Sequence, residues 1–419
     1  MAPSLPKQFE ISLGEIMAKR PNGKDLLGNG INNAKGIIDV VFRGQSPEFK
    51  ALWLSIVFMA LFGMLMVYSS SYVDSVVKTS GPFGEMRSQL IGMFGGAVAL
   101  VWFAYLKPEA SRRLGPVIAL GFMIAQLLVL FTPMGIAVNG NRNWLNLGIG
   151  TLQPSEFLKI AMIMMVATFI VGNRTHDKSE PQFWYAPLAV FAILFIFVGL
   201  LSKDMGTIIV MAIILFGMFF FGGLPDKFMK WVLAAGVGGV LLLFALGGSR
   251  RGRILAWMFP DAPDPSQYNW QAEHGKWAFA AGGLFGVGPG NSKMKWSWIP
   301  EAQNDFIFAI IGEEYGLVGA LTVISLFVFL GVTLFKIAKK TTDQYERLFI
   351  YGVTFWIVGQ AFINISVVLT MLPVLGVNLP MISSGGTSMV ATLMALGMVM
   401  GIERKNHSAP KLRVIRGNK

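Results

Sequence analysis

Runs of about 20 apolar residues, each long enough to cross a bilayer, recur along almost the whole of this 419-residue chain. No other feature limits its possible folds so strongly. In lipid a segment this apolar must satisfy its own backbone, which makes each run a helix. Nine charge-free runs stand out: Trp53–Tyr72, Leu90–Leu106, Leu114–Pro133, Phe183–Leu201, Met205–Gly223, Trp231–Ser249, Tyr315–Phe335, Leu348–Met371 and Ile382–Ile402. A tenth, Phe157–Gly172, carries one charge, Lys159. Charged residues make up 14% of the chain, against roughly a quarter in a soluble domain. The expected fold is therefore all-α: a polytopic membrane protein with ten transmembrane helices and a large loop between helices 7 and 8.

The polar segments sort by charge. Residues 1–50 contain Lys7, Lys19, Arg20, Lys24, Lys35, Arg43 and Lys50 but no apolar signal-peptide core. They read as a cytoplasmic tail, as does the basic stretch 405–419, which leaves 51–404 as the membrane domain. Lys and Arg favour the segments on the N-terminal side by roughly two to one, which puts both termini inside and the loop 248–305 outside. Because the net charge of +12 lies beside spans, no nucleic-acid partner is expected. The absence of cysteine excludes disulfides and thiolate metal sites.

Candidate chemistry gathers in and around 248–305. Arg250, Arg251 and Arg253 offer bidentate forks suited equally to a phosphate and to anionic lipid headgroups. The glycine-rich stretch from Gly282 to Gly290 permits close backbone approach to a ligand, and Lys293 and Lys295 add charge beside Trp296 and Trp298. Glu301 and Asp305 then stand directly before an apolar run. Asp305 is compatible equally with a helix cap and with a general base whose pKa is raised by burial and by Glu301. Glu313 and Glu314 lie further along that span and call for structural partners. Elsewhere Gln153 precedes Glu156 and Lys159, which share a helix face and can pair. Arg142 and Asp204 sit in short outer segments. Gln360 and Asn364 are four apart in the ninth span, and Ser383, Ser384, Gly385 and Gly386 open the tenth. Most of these groups fall toward the outer side, which suits an amphiphilic, anionic, sugar-bearing substrate.

In this order, several segments resemble the SEDS family (shape, elongation, division and sporulation). They are Val67-Tyr68-Ser69-Ser70-Ser71, Asn141-Arg142-Asn143-Trp144, Gln153-Pro154-Ser155-Glu156, Asp204-Met205-Gly206-Thr207, Gly282-Gly283 through Lys295, Pro300-Glu301, Asp305-Phe306-Ile307-Phe308, Glu313-Glu314 and Leu379-Pro380 to Ser388. The long head and the Gly290-Asn291-Ser292-Lys293 stretch are closer to the division-type branch, of an actinobacterial kind, than to the elongation type. Gln303 and Asn304 depart from the His or Arg and Thr that often precede the aspartate.

The resemblance implies peptidoglycan glycosyl transfer. Lipid II would be polymerised into β-1,4 strands, with Asp305 as base and undecaprenyl pyrophosphate leaving. It makes Glu156–Lys159 the family's ion pair. It also implies a class B penicillin-binding transpeptidase and other division-complex membrane proteins as partners, at the plasma membrane of the division septum. A divalent cation, magnesium or manganese, could share in stabilising the leaving group. No dedicated metal cage and no organic cofactor are visible. A lipid II flippase and a non-catalytic division scaffold are the competing classes.

Overall fold

The computed structural model describes residues 36–42, 45–79, 83–138, 141–148, 150–173, 176–245, 249–260, 262 and 269–408. The chain divides into two units, Met1–Gly44 and Gln45–Lys419. In the first, residues 36–42 are helical; the remainder of the expected N-terminal tail, 1–35, and the C-terminal residues 409–419 lie outside the described residues.

The second unit opens with three helices: α1 (Pro47–Thr79), α2 (Gly84–Tyr105) and α3 (Pro108–Phe131). A small antiparallel sheet of β1 (Gly135–Val138), β2 (Asn141–Asn146) and β3 (Thr151–Leu152) comes after them, in the order β1-β2-β3. Next are α4 (Pro154–Gly172), α5 (Tyr185–Leu194, prolonged by a π-helical stretch, Phe195–Leu201), α6 (Met205–Gly222) and α7 (Asp226–Ala245). Two shorter helices, α8 (Ser249–Met258) and α9 (Trp270–Gly282), precede the long α10 (Ile307–Lys340), α11 (Gln344–Val368) and α12 (Gly386–Ser408). Among the described residues nine helices are long and apolar enough to cross a membrane. The seventh expected span coincides largely with α7, which is not among those nine.

Position in the bundle follows side-chain size. The apolar window of α12 is 89% buried and that of α3 only 17%. Small residues let α12 approach α2 closely: a β-carbon on Gly92 would stand 2.3 Å from the Gly386 Cα, and one on Gly397 2.5 Å from the Leu100 carbonyl oxygen. Small residues at such crossings drive helix association where lipid removes the hydrophobic incentive. The opposite face of α2 exposes Ile91, Phe94, Val98 and Trp102, the side chains expected against lipid. Helix ends follow local chemistry too. Pro108 and Pro154 occupy first positions of α3 and α4, and the Asp204 and Asp343 carboxylates cap α6 and α11.

The segment 248–305 is not an open wet loop. Its described residues form α8, α9 and a coil that splices into α10. Gly316, at φ 65° and ψ −159°, breaks α10. The broken ladder is completed from outside: Val287 and Gly288 N–H donate to the Glu313 and Glu314 carbonyls, and Leu317 and Val318 N–H donate to Gly283 and Leu284. This corrects the expectation of glycines approaching a ligand. The backbone that they approach is that of α10. A β-carbon on Gly282 would lie 2.0 Å from the Gly312 oxygen, and one on Gly286 2.1 Å from the Glu314 oxygen.

The two glutamates lock the splice. Glu313 accepts from Ser292 Oγ at 2.5 Å and from the Lys293 N–H at 2.8 Å. Glu314 pairs with Lys295 Nζ at 3.2 Å and accepts from Ser69 Oγ of α1 at 2.6 Å. Lys295 is therefore a buried structural cation rather than a substrate contact, and Lys293 is exposed and lines no part of the polar cavity around Asp305.

Candidate active site

A cavity of about 370 Å³ lies where the N-terminal ends of α4, α6 and α12 meet the turn before α10. Strand β2 and the non-helical segment 369–385 complete its wall. Left-handed backbone gathers beside it, with Lys203 at φ 62°, Glu301 at 55° and Met381 at 62°. Non-glycine residues in that region cost free energy and are held only by their surroundings.

Asp305 is the carboxylate that the cavity leaves free. Its Oδ1 is buried without a hydrogen-bond partner. Its main-chain carbonyl accepts from Asn364 Nδ2 at 2.7 Å, while the Gln303 carbonyl accepts from the Ser384 N–H at 2.8 Å. Burial, reinforced by the Glu301 charge, pushes the Asp305 carboxyl up to about 7; its own N–H and the Arg253 guanidinium pull the other way. Glu301 is itself held by the Asn304 side chain. Gly376 makes room opposite: at φ 69°, a β-carbon there would lie 4.0 Å from Asp305 Oδ2.

The other acids are already engaged. Asp204 accepts from the Thr207 N–H at 2.9 Å, Thr207 Oγ1 at 2.8 Å and Asn143 Nδ2 at 3.0 Å. Burial pushes its carboxyl up, against the pull of Thr207. It ties β2 to the start of α6. Glu156 takes the Lys159 ammonium on both oxygens at 2.9 Å. Lys159, 1% exposed, also donates to Gln360 Oε1 at 3.0 Å and stands 4.8 Å from the Trp356 ring. Gln360 in turn donates to the carbonyl and side-chain oxygens of Asn378 at 3.0 and 2.7 Å. The pair is thus one end of a polar ladder running into the cavity wall.

Of the residues singled out in the sequence, the cavity unites Gln153, Glu156, Lys159, Asp204, Arg253, Glu301, Asp305, Gln360, Ser384, Gly385 and Gly386. Several others it does not. Arg142 turns to the Thr132 carbonyl at 2.6 Å, because alternation along β2 sends Asn143 inward instead. Ser383 is spent accepting from the Leu379 N–H at 2.8 Å. Arg251 lies on the exposed side of α8. Asn364 donates its side-chain N–H to the Asp305 main-chain carbonyl without lining the cavity. The side chain of Arg250 lies outside the described residues. Conversely, Gln271 and the Val374–Asn378 wall line the cavity unanticipated, as do Asn143 and Ser388, which stood inside resembling segments without being singled out. The alternating Asn141–Asn146 could have revealed Asn143; nothing in the plain apolar-and-proline pattern of 369–380 announced the wall.

Fold and site together define a polytopic helical membrane protein whose polar cavity, at the ends of its spans, holds the Asp305 carboxyl with one oxygen unpartnered. Residues 49–408 match the cell cycle protein family of FtsW, RodA and SpoVE, and the chain belongs to that family. A probable peptidoglycan glycosyltransferase FtsW of Mycobacterium tuberculosis is 36% identical over 354 residues, covering 83% of this chain. The chain spans 66% of that relative's length. The namesake from Burkholderia thailandensis is 33% identical over 394 residues, covering 90% of this chain and 85% of the relative. Two solved structures share the fold. A chain from work on the structural coordination of polymerization and crosslinking by a peptidoglycan synthase complex has a TM-score of 0.71 at 22% identity, covering 88% of this chain and all of that one. Thermus thermophilus RodA has 0.62 at 23%, covering 87% and 99%.

Proposed function

We propose that this protein is a peptidoglycan glycosyltransferase that polymerises lipid II into β-1,4 glycan strands, with Asp305 as general base. The observation that carries the proposal is the half-buried Asp305 carboxyl, which lines a polar cavity with its Oδ1 buried and unpartnered and its pKa pushed up to about 7. A base is most effective when its pKa lies near the working pH. Asp305 takes the proton of the acceptor's 4-hydroxyl as that oxygen attacks C1 of the donor sugar. The bond from C1 to pyrophosphate breaks in the same displacement. Inversion converts an α-linked donor into a β bond, so one base suffices and no covalent intermediate is formed. Arg253, which lines the same cavity, is the long-segment arginine best placed to stabilise the leaving pyrophosphate.

A magnesium or manganese ion belongs to this proposal as a group held chiefly by the pyrophosphate, since such ions bind through one or two carboxylates plus substrate phosphates. Among the described residues no three carboxylates or histidines converge. The bias of basic residues supports a cavity on the outer face of the plasma membrane with both termini in the cytoplasm. The family membership supports work at the division septum with a class B penicillin-binding transpeptidase and other division-complex membrane proteins.

Asp305→Asn is expected to abolish lipid II polymerisation by the purified full-length protein while its thermal unfolding and gel-filtration profile stay those of wild type. A polymerising Asp305→Asn protein would overturn the assignment. A flippase would retain translocation of lipid II in that variant, measured separately in liposomes, and a scaffold would retain division in cells.

A further inference from the structure

One buried polar group at the site does not touch the cavity. The side-chain amide of Asn364 is 1% exposed and lies one turn beyond Gln360 on α11. Its Nδ2 donates to two main-chain carbonyls, Asp305 O at 2.7 Å and Val377 O at 2.7 Å. Both amide hydrogens are thereby used. The orientation of the amide is determined as well, because the flipped group would set an oxygen against two oxygens.

Both carbonyls belong to non-helical backbone: Asp305 lies in the turn before α10, and Val377 lies within the segment 369–385. Irregular backbone inside a membrane protein must draw its hydrogen bonds from side chains or water. Gln360 takes the very next carbonyl, Asn378 O, at 3.0 Å. Two amides one helical turn apart therefore pin successive carbonyls of the cavity wall, and the second of them also grips the residue that carries the base.

We infer that Asn364 is a positioning residue for the base: its amide holds the main chain of Asp305 against the Val374–Asn378 wall and so aims the Asp305 carboxyl into the cavity. This rests on the reading of Asp305 as the base. Asn364 meets no substrate, and its effect passes entirely through residue 305. Without it the turn before α10 loses its tie to the wall, and the carboxyl swings toward water. Loss of this tie has two effects that simple destabilisation would not produce. The chemical step slows while substrate affinity is kept, because a displacement of about 1 Å can cost on the order of 100-fold. The acidic limb of the pH–rate profile also falls, because a solvated carboxyl returns toward its ordinary range of about 4.

The test uses purified full-length wild type, Asn364→Ala, Asn364→Asp and Asp305→Asn, assayed for lipid II polymerisation across roughly pH 5 to 9 beside thermal unfolding. Asn364→Asp keeps the shape, but its ionised form has no hydrogen to donate. Both Asn364 variants are expected to lose kcat about 100-fold with KM within about threefold. The acidic limb of Asn364→Ala should move down by about one pH unit or more, whereas the carboxylate added by Asn364→Asp opposes that shift as Glu301 does. If kcat falls only in step with the folded fraction and the limb does not move, the inference is overturned. If Asn364→Ala does not fold, Asn364→Ser, which keeps one donor, is judged by the same limb and the same kcat-to-KM split. An active Asp305→Asn removes the base assignment and this inference with it. An inactive Asp305→Asn beside an Asn364→Ala variant with an unmoved limb removes the inference alone.

Discussion

At the scale of single residues, the site turns on which charges are already occupied. Asp204 and Glu156 each hold strong partners, so Asp305 is the acid left to react. Its two neighbours act on it in opposite directions, Glu301 raising its pKa and Arg253 lowering it. Arg253→Ala therefore removes a downward pull, and the acidic limb of kcat should move to higher pH. The variant should also lose roughly 10- to 100-fold in rate if the guanidinium stabilises the leaving pyrophosphate. A pH–rate series distinguishes the two effects. Stability carries the same signature with a defined sign. A carboxyl whose folded pKa is raised binds more protons folded than unfolded, so stability declines as pH climbs from the ordinary carboxylate range to about 7. Asp305→Asn removes that decline, so its melting temperature at pH 8 should equal or exceed that of wild type. Much of this was legible residue by residue, because Asp305 and Glu301 stand alone before an apolar run. The partners of Asp305 were not, because Asn364 and Gly376 reach it through tertiary contacts that no local spacing encodes.

At the scale of elements, the decisive feature is the break in α10. A membrane helix interrupted at Gly316 leaves carbonyls and N–H groups that lipid cannot satisfy, and the coil after α9 supplies their partners as an added stretch of chain. This splice fixes the first two turns of α10, and with them the turn that carries Asp305. Its weak point is the buried pair of Lys295 and Glu314, at 6% and 1% side-chain exposure. Lys295→Met strands a buried carboxylate and should destabilise the protein by about 3–5 kcal/mol, whereas Lys295→Met with Glu314→Leu should recover much of that loss. Thermal unfolding of the two variants in one detergent measures the difference, and equal melting points would show that the pair contributes no such tie. Glycine spacing made this stretch conspicuous in the sequence but not its purpose, since the close approach that glycine permits is the same toward a ligand and toward a helix backbone. The strands β1 to β3 went unanticipated for a related reason: the longest has six residues, and its alternation is too short to stand out between apolar spans.

At the scale of the whole molecule, the cavity counts the crossings. It joins the start of α4, the start of α6, the turn before α10 and the start of α12 on one face of the bundle. Helix α6 leaves that face and runs for 18 uncharged residues. The chain nevertheless returns to it before α10, and between them α7 is the described helix with the length to do so. Its 20 residues rise about 30 Å, which matches the hydrocarbon core of a bilayer. The expected seventh crossing thus falls on α7, which carries no charge after Lys230. The chain has no cysteine, so single substitutions report position without background. A cysteine replacing Lys293, exposed beside the splice, should react with a membrane-impermeant maleimide in intact cells, as should one replacing Arg251 on α8. A cysteine replacing Thr342, exposed between α10 and α11, should react only after permeabilisation. Labelling of Lys293→Cys and Thr342→Cys from the same side would mean that α10 does not cross. Labelling of Lys293→Cys from the inside alone would put the cavity, and the base within it, on the cytoplasmic face, where a polymerase that builds the wall outside the membrane could not use it.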